Sequence, residues 1–274
     1  MSLNPKEVLT RSLSGIVFLI LFIGSILYSQ WSFVGLFSLL ALFGLREFYT
    51  LIKKSGTDID VNTPALIGFA TILLFGAEKL STLEYRYIGL GIALAFISFF
   101  KELFRHKEKP FEVLGFIAVG YMYVLLPILF FMFLGFFKYD EYTWQITLGY
   151  LIIIWANDSG AYGFGVTFGK HRMLEHISPK KSWEGAAGGL LFGAIAAYFW
   201  SQNFTIISTT NWIIVAVIII VTGTMGDFVE SMLKRSLGVK DSGNIMPGHG
   251  GILDRFDSVL LSAPFVWAYL EAFG

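Results

Sequence analysis

The chain contains no cysteine among its 274 residues, which excludes disulfides, thiolate metal sites and a cysteine nucleophile. It is also poor in charge, because Asp, Glu, Lys and Arg make up only 15% of its residues, whereas soluble domains carry about 25%. The formal net charge is zero, so the composition does not indicate a nucleic-acid partner. Neither a Walker phosphate-binding loop nor the nucleophile elbow of Ser-His-Asp hydrolases is present. The low charge content favours a membrane protein instead.

Long apolar runs occupy much of the sequence. Hydrophobic residues make up 55% of the chain and include 28 Phe. A helix needs about 20 apolar residues to cross a hydrocarbon core of about 30 Å. The runs therefore predict an all-α polytopic membrane protein that forms one domain, 1–274, with its N-terminal helices in 1–144 and its chemically functional helices and loops in 145–274. The nine predicted transmembrane helices are 12–29, 32–51, 63–78, 86–100, 112–137, 145–163, 185–201, 211–231 and 254–273.

The distribution of Lys and Arg orients these spans. With the N-terminus in the cytoplasm, the cytoplasmic segments hold 16 of the 20 Lys and Arg residues, and the external segments hold only Lys79, Arg86 and Lys138. Cytoplasmic loops of membrane proteins carry an excess of these residues. The pattern predicts a cytoplasmic N-terminus, an external C-terminus and two long cytoplasmic segments, 164–184 and 232–253.

One acidic residue lies deep in the eighth span. Asp227 is 15 residues past Trp212, which is roughly 22 Å along a helix, so it is expected near the cytoplasmic lipid boundary. An ionisable residue at such a depth is a functional candidate. Asp227, Glu230 or Ser231, and Lys234 also share one face of this helix.

The segment that follows is rich in glycine and ends in two aspartates. Successive backbone N–H groups of such a loop can bind an anion. Asp254 and Asp257 are three residues apart, so they share one face at the start of the ninth span. Mg²⁺ typically binds through one or two carboxylates plus substrate phosphates. The pattern favours a phosphate and magnesium site, although two aspartates at a helix start also complement the helix dipole on their own.

A second polar cluster comes earlier in the chain. Asp158 lies about 18 Å along a helix that starts near Ile146, and the loop after that helix carries Lys180 and Lys181. Lysines beside small residues and a helix start are typical of polyphosphate sites. A positive-inside loop that binds anionic lipid headgroups would carry the same lysines, and both interpretations stay open for Lys180 and Lys181.

The predicted topology places the polar ends of the sixth, eighth and ninth spans on the same side of the membrane. Their acidic residues suit a metal ion and their basic residues suit phosphates. The residues alone therefore indicate metal-assisted phosphoryl or nucleotidyl transfer, with the active site at the cytoplasmic membrane boundary.

The last third of the chain resembles a known signature. The run Ser231-Met-Leu-Lys-Arg235, four further residues, Lys240-Asp-Ser-Gly243 and Pro247-Gly-His-Gly-Gly-Ile-Leu-Asp-Arg-Phe-Asp257 is similar to that of the CDP-diacylglycerol synthase (phosphatidate cytidylyltransferase) family. A second region of that family is matched upstream by Trp155, Asp158, Ser159, Ala161, Tyr162, Gly165, Phe168, Gly169, Ser178, Pro179, Lys180, Lys181, Glu184 and Gly185. Position 182 is Ser where the family often has Thr, which keeps the hydroxyl group. The motifs cover roughly residues 155–257, and the N-terminal half matches only in hydropathy.

This resemblance implies that CTP and phosphatidic acid are converted to CDP-diacylglycerol and pyrophosphate, for phospholipid biosynthesis, in a multi-pass protein of a bacterial plasma membrane. It implies Mg²⁺, with or without a second cation, and contacts with membrane lipids, and it leaves a homodimer open. A phosphatidate oxygen attacks the α-phosphorus of CTP and pyrophosphate leaves. Because that oxygen is already anionic, the reaction depends mainly on positioning and on charge neutralisation.

The resemblance also implies roles for individual residues. Asp241 is a further metal ligand or orients the metal's water, and His249 orients a group or contacts phosphate. The expected catalytic residues are Asp241, Lys234 and His249. The expected metal ligands are Asp227, Asp254 and Asp257. The expected substrate-binding residues are Ser178, Lys180, Lys181, Arg235, Lys240, Gly250, Gly251, Arg255 and Asp158.

Two other functions compete with this interpretation. A CTP-dependent lipid kinase of the dolichol or phytol kinase type would transfer the γ-phosphate and release CDP, but the complete run from Ser231 to Asp257 argues against it. An anion transporter would also use carboxylates near the midplane, but it has no need for so many phosphate and metal ligands on one leaflet. Release of pyrophosphate from CTP separates all three functions.

Overall fold

The structure is a computed structural model that describes residues 5–80, 87–105, 108–137, 141–239, 241–243 and 250–274. Its first six α-helices are α1 Pro5–Tyr28, α2 Gln30–Lys54, α3 Asn62–Leu80, α4 Tyr87–Leu103, α5 Pro110–Gly120 and α6 Leu126–Gly135. The remaining four are α7 Trp144–Phe168, α8 Trp183–Asn203, α9 Thr209–Ser236 and α10 Leu253–Phe273.

Each predicted span coincides with a helix when α5, the π-helical segment Tyr121–Leu125 and α6 are counted as one rod, Pro110–Gly135. The all-helical prediction is confirmed, since the described residues form no strand; Arg172 and Ser182 form an isolated bridge. Within the part of the chain that the structure describes, four helices are long and apolar enough to cross a membrane, namely α2, α3, the rod Pro110–Gly135 and α9. The count of nine crossings and the orientation of the termini stay predictions.

The chain forms two compact units. The first comprises Met1–Met132 and Asp241–Phe256, and the second comprises Phe133–Lys240 and Asp257–Gly274. The assignment of 1–274 to one domain, with a division near residue 144, stays a prediction.

Aromatic side chains from several helices fill the core of the first unit. The ring centroid of Phe37 lies 4.7 Å from that of Phe33 and 4.9 Å from that of Phe131. The hydroxyl of buried Tyr49 donates to the carbonyl of Ile117 over 3.0 Å, so its polar end is satisfied, as burial requires. This apolar packing surrounds α2 along most of its length.

Small residues let α7 and α8 pack closely in the second unit. A Cβ atom on Gly189 would lie 2.3 Å from the side-chain oxygen of Asn157, and one on Gly185 would lie 2.9 Å from the Ala161 carbonyl oxygen. A larger residue at Gly185 would need a backbone shift, and one at Gly189 would displace the Asn157 side chain. Small residues at this spacing are typical of helix pairs in membranes, where close contact replaces the hydrophobic driving force.

Candidate active site

A cavity of about 260 Å³ opens in the second unit, close to the lower end of the roughly 300–1,000 Å³ typical of ligand pockets. Helices α7, α8, α9 and α10 and the loop between α7 and α8 contribute to its wall. The charged residues that line it are Asp158, Lys180, Lys181 and Asp227. These four residues were all predicted site residues, and they come from three separate segments of the chain.

Lys181 lies at the centre of the charged wall. Its Nζ atom forms an ion pair with Asp227 and lies 4.8 Å from the centroid of the Phe228 ring, so it makes a cation–π contact as well. Its backbone is also held, because the Lys181 carbonyl accepts a hydrogen bond from the Met173 N–H over 3.1 Å. The ammonium group therefore has a defined place beside the acidic residues of α9.

The loop between α7 and α8 folds back on the first turn of α8. Ser182 has extended backbone and caps this helix by accepting a hydrogen bond from the Gly185 N–H over 3.1 Å. The Glu184 carboxylate accepts hydrogen bonds from the backbone N–H groups of Lys170 and His171 at 3.1 and 3.2 Å. These contacts bring both ends of the loop to the start of α8.

Glu184 also contacts a side chain of this loop. The His171 Nδ1 atom lies 2.6 Å from its carboxylate. This hydrogen bond, supported by the backbone donors, lowers the pKa of Glu184 from 4.5 to about 2. The carboxylate is thus ionised at every physiological pH.

Three carboxylates meet where α9 packs against α10. One oxygen from each of Asp227, Glu230 and Asp257 lies within 4.8 Å of the others. Glu230 is only 1% exposed and forms an ion pair with Lys234 one turn later. Two unit charges about 4 Å apart repel by roughly 4 kcal/mol at an effective dielectric of 20, so the lysines that pair with this cluster offset a substantial cost.

A glycine brings the two helices together at this cluster. A Cβ atom on Gly226 would lie 2.4 Å from the Asp257 carbonyl oxygen, and one on Gly223 would lie 3.2 Å from the Ser258 side chain. The absence of side chains at both glycines lets the α9 and α10 backbones approach each other. Asp227, next to Gly226, is thereby placed beside Asp257.

Asp254, the other predicted metal ligand, belongs to the first unit and has its own partners there. Its Oδ2 atom accepts hydrogen bonds from the Ser242 N–H at 3.1 Å, the Ser242 hydroxyl at 2.9 Å and the Gly251 N–H at 2.9 Å. The carboxylate of Glu47 lies in the same set of contacts, since it accepts from the same hydroxyl. Among the described residues, the acidic group suited to a metal therefore contains Glu230, and Asp254 is not one of its members.

The other predicted site residues lie as follows. Asp241, Arg235 and Arg255 are exposed. Ser178 is half-buried and does not line the cavity. Gly250 has a φ of 85°, a left-handed conformation that favours glycine, and Gly251 is buried. Lys240 and His249 lie outside the described residues.

Two acidic residues of these clusters were not predicted as site residues. Glu230 had a sequence signal, because it lies on the same face of the helix as Asp227. Glu47 had a weaker signal, because it is an ionisable residue in an apolar span, but its partners lie almost 200 positions away in the sequence.

Known proteins are similar in sequence to this chain over nearly its whole length. The sequence pattern of the cytidylyltransferase family matches residues 9–273. The phosphatidate cytidylyltransferase of Bacillus subtilis (strain 168) is 33% identical over 98% of each chain. That of Staphylococcus aureus (strain COL) is 34% identical over 93% of this chain and 96% of its own. That of Haemophilus influenzae is 42% identical over 47% of each chain.

The agreement is not confined to the signature segment. It runs from the first helix to the last and includes the segments that bring lysines and carboxylates to one cavity. The chain therefore belongs to the cytidylyltransferase family.

Proposed function

We propose that the chain is a phosphatidate cytidylyltransferase, which transfers CMP from CTP to phosphatidic acid. Relatives that match it from end to end carry this name. The observation that supports the proposal best is the cavity that collects Lys180, Lys181, Asp158 and Asp227 in one wall. A triphosphate and a phosphate monoester both need cations at such a wall, and carboxylates beside the cations suit an accompanying divalent ion.

The reaction requires little covalent chemistry from the protein. A phosphatidate oxygen forms a bond to the α-phosphorus of CTP, while the bond between that phosphorus and the bridging oxygen to the β-phosphate breaks. Pyrophosphate takes the electron pair and leaves. Lys181, fixed by Asp227 and the Phe228 ring, and Lys180 would orient the phosphates and neutralise the negative charge that makes the two anionic substrates repel each other. Catalysis of this type comes from positioning and electrostatic stabilisation.

The acidic cluster fits the magnesium ion that the family implies. Its three members offer only carboxylate oxygens, which are the ligands that Mg²⁺ prefers. Asp227, Glu230 and Asp257 would hold the ion. Mg²⁺ bound there would supply positive charge to the triphosphate and to the departing pyrophosphate.

We also propose that the cavity faces the cytoplasm of a bacterial cell, as the Lys and Arg distribution predicts, and that the surrounding helices contact membrane lipids. The chain has no cysteine, so single-cysteine variants test this directly. Ser236→Cys, exposed at the end of α9, should react with an impermeant maleimide only from the cytoplasmic side. Thr205→Cys, exposed between α8 and α9, should react only from outside. Labelling of both variants from the same side would contradict the proposed topology.

The function itself is tested with isotopically labelled nucleotide. Purified protein should transfer phosphorus from α-³²P-CTP into a lipid product and release label from γ-³²P-CTP as pyrophosphate. Label from the γ position in the lipid would identify a lipid kinase instead. If neither nucleotide label is transferred or released while the protein is folded and supplied with phosphatidic acid and Mg²⁺, the proposal is wrong.

A further inference from the structure

A buried carboxylate in the N-terminal half of the chain holds the segment that leads into α10. Glu47, on α2, is only 5% exposed. Its two oxygens accept hydrogen bonds from the Ile252 N–H at 2.9 Å and the Leu253 N–H at 3.0 Å. The Ser242 hydroxyl is a third donor. All these residues belong to the first unit.

The backbone around Glu47 is shaped to admit its side chain. A Cβ atom on Gly251 would lie 2.0 Å from one Glu47 oxygen, and one on Gly243 would lie 2.5 Å from the other. Both positions therefore need glycine if the carboxylate is to occupy this place. Two glycines and three donors from separate parts of the segment thus converge on one side chain.

A second carboxylate, that of Asp254, belongs to the segment itself and binds other backbone N–H groups of it. Asp254 accepts hydrogen bonds from the backbone N–H groups of Ser242 and Gly251. The Ser242 hydroxyl lies within hydrogen-bond distance of both carboxylates. Residues 241–243 and 250–254 are consequently held to each other and to α2.

Helix α10 connects these contacts to the proposed active site. Ile252 immediately precedes α10 and Leu253 is its first residue, and Asp257 follows one turn later on the same helix. Unpaired N–H groups at a helix start favour a negatively charged acceptor. A carboxylate that fixes this helix start therefore acts on the same helix that carries Asp257.

We propose that Glu47 is a positioning residue for cytidylyl transfer, acting through Ser242 and the first N–H groups of α10. This inference rests on the proposed function. Glu47 need not touch either substrate. Its role is to keep the α10 start, and with it Asp257, in the geometry that the reaction requires.

The chemistry of the site explains why a carboxylate is needed. Glu47→Gln would keep the shape but replace one acceptor oxygen by an NH₂ group, which would face an N–H donor. Glu47→Asp would keep the charge but is one methylene too short to reach the same donors. Both variants should therefore lose the hydrogen bonds that hold the start of α10, while the α2 helix stays intact.

The experiment measures kcat and the KM for CTP of purified protein in detergent, at a temperature well below each variant's unfolding midpoint. We expect about a tenfold or greater loss of kcat for Glu47→Gln and Glu47→Asp, with KM changed much less. Ser242→Ala should lower kcat as well, and combining it with Glu47→Gln should add little, because both changes break the same contact.

Glu102→Gln is the matched control. Glu102 is also a buried glutamate of the first unit, 2% exposed, and it pairs with Arg105 at 2.6 Å rather than with the α10 segment. It should keep a wild-type kcat, even if its unfolding midpoint falls. Should Glu47→Gln fail to fold, Ser242→Ala carries the test with the same expected loss.

The outcomes separate this inference from the function it rests on. A wild-type protein that does not form CDP-diacylglycerol would refute the proposed function. An active wild-type protein together with Glu47→Gln or Glu47→Asp of equal kcat would refute only the positioning role. The positioning role would also be refuted if the folded variant had a lower unfolding midpoint but an unchanged kcat, because Glu47 would then only stabilise the fold.

Discussion

Gly226 of α9 lies directly against the backbone of Asp257 in α10, where a Cβ atom on Gly226 would be 2.4 Å from the Asp257 carbonyl oxygen. This contact sets the separation of the two helices at the acidic cluster. Because backbone cannot yield as a flexible side chain can, even one added methyl group must push the helices apart.

We expect Gly226→Ala to lower kcat by about tenfold or more, since it moves Asp227 away from Asp257, and to destabilise the protein by roughly 1–3 kcal/mol through overpacking. Steady-state kinetics and thermal unfolding in detergent measure both effects. Gly163→Ala is the control, because no heavy atom lies within 4 Å of a Cβ at that helical position. Equal activity of the two variants would show that the helix separation does not matter.

The acidic cluster leads to a prediction about magnesium dependence. Three variants each remove the negative charge from one carboxylate of this cluster, whose oxygens lie within 4.8 Å of one another: Asp227→Asn, Glu230→Gln and Asp257→Asn. Each should lower activity by about a hundredfold at limiting Mg²⁺ and raise the Mg²⁺ concentration needed for half-maximal rate. Binding of Mn²⁺ followed by electron paramagnetic resonance gives the affinity without an activity assay.

Asp254→Asn provides the contrast to these variants. Its carboxylate accepts hydrogen bonds from Ser242 and Gly251, so its loss should lower the maximal rate while leaving Mn²⁺ affinity near the wild-type value. Suppose instead that Asp254→Asn abolishes Mn²⁺ binding and Glu230→Gln leaves it unchanged. The ligands are then the set predicted from the sequence, which contains Asp254, and not the set that contains Glu230.

Lys181 and Lys180 allow a test of the cavity wall. Lys181→Ala and Lys180→Ala should each lower kcat/KM by roughly 10- to 150-fold, which corresponds to the loss of one charge-assisted phosphate contact of about 1.5–3 kcal/mol. Lys170→Ala is the matched control, because Lys170 is exposed in the same loop but does not line the cavity. If all three variants keep wild-type kinetics, the lysines of this loop do not bind substrate and serve only to orient the chain in the membrane.

The Glu184 carboxylate predicts a pH-dependent contribution to stability. Its hydrogen bond with His171 lowers its pKa from 4.5 to about 2, so the ionised form stabilises the folded state. That stabilisation is complete above about pH 5 and is lost as the pH falls from about 4.5 toward 2. The unfolding midpoint of Glu184→Gln should accordingly lie below wild type at pH 7, with a gap that narrows on acidification.

Glu175→Gln serves as the control for this titration, because Glu175 is exposed in the same loop. Its unfolding midpoint at pH 7 should stay near that of wild type. A gap between wild type and Glu184→Gln that stays constant from pH 7 to pH 3 would contradict the proposed role of the ionised carboxylate.

The helices were predictable from sequence because each span is a continuous apolar run with polar or basic ends. Predicted and observed helix ends mostly differ by a few residues, as at 211–231 against Thr209–Ser236. That Asp227 has a charged partner, Lys181, was predictable in part for a related reason. An ionisable residue in or beside an apolar run is costly, so its presence indicates a partner.

The partners of the acidic residues were not predictable to the same degree. Asp254 and Asp257 share a helix face by spacing, but the side chain of Asp254 turns to nearby N–H groups that spacing does not reveal. Glu47 illustrates the larger difficulty. Its contacts depend on packing between segments about 200 residues apart, and such packing leaves no local pattern in either segment.

The glycines between α7 and α8 have a consequence for how the protein can be handled. A helix pair held by direct backbone contact owes its association to dispersion forces, which do not depend on which apolar medium surrounds it. Gly185 and Gly189 provide such contact. We therefore expect this wall of the cavity to persist unchanged between bilayers of different thickness, nanodiscs and mild detergents, so that changes of activity among these media report on other parts of the molecule.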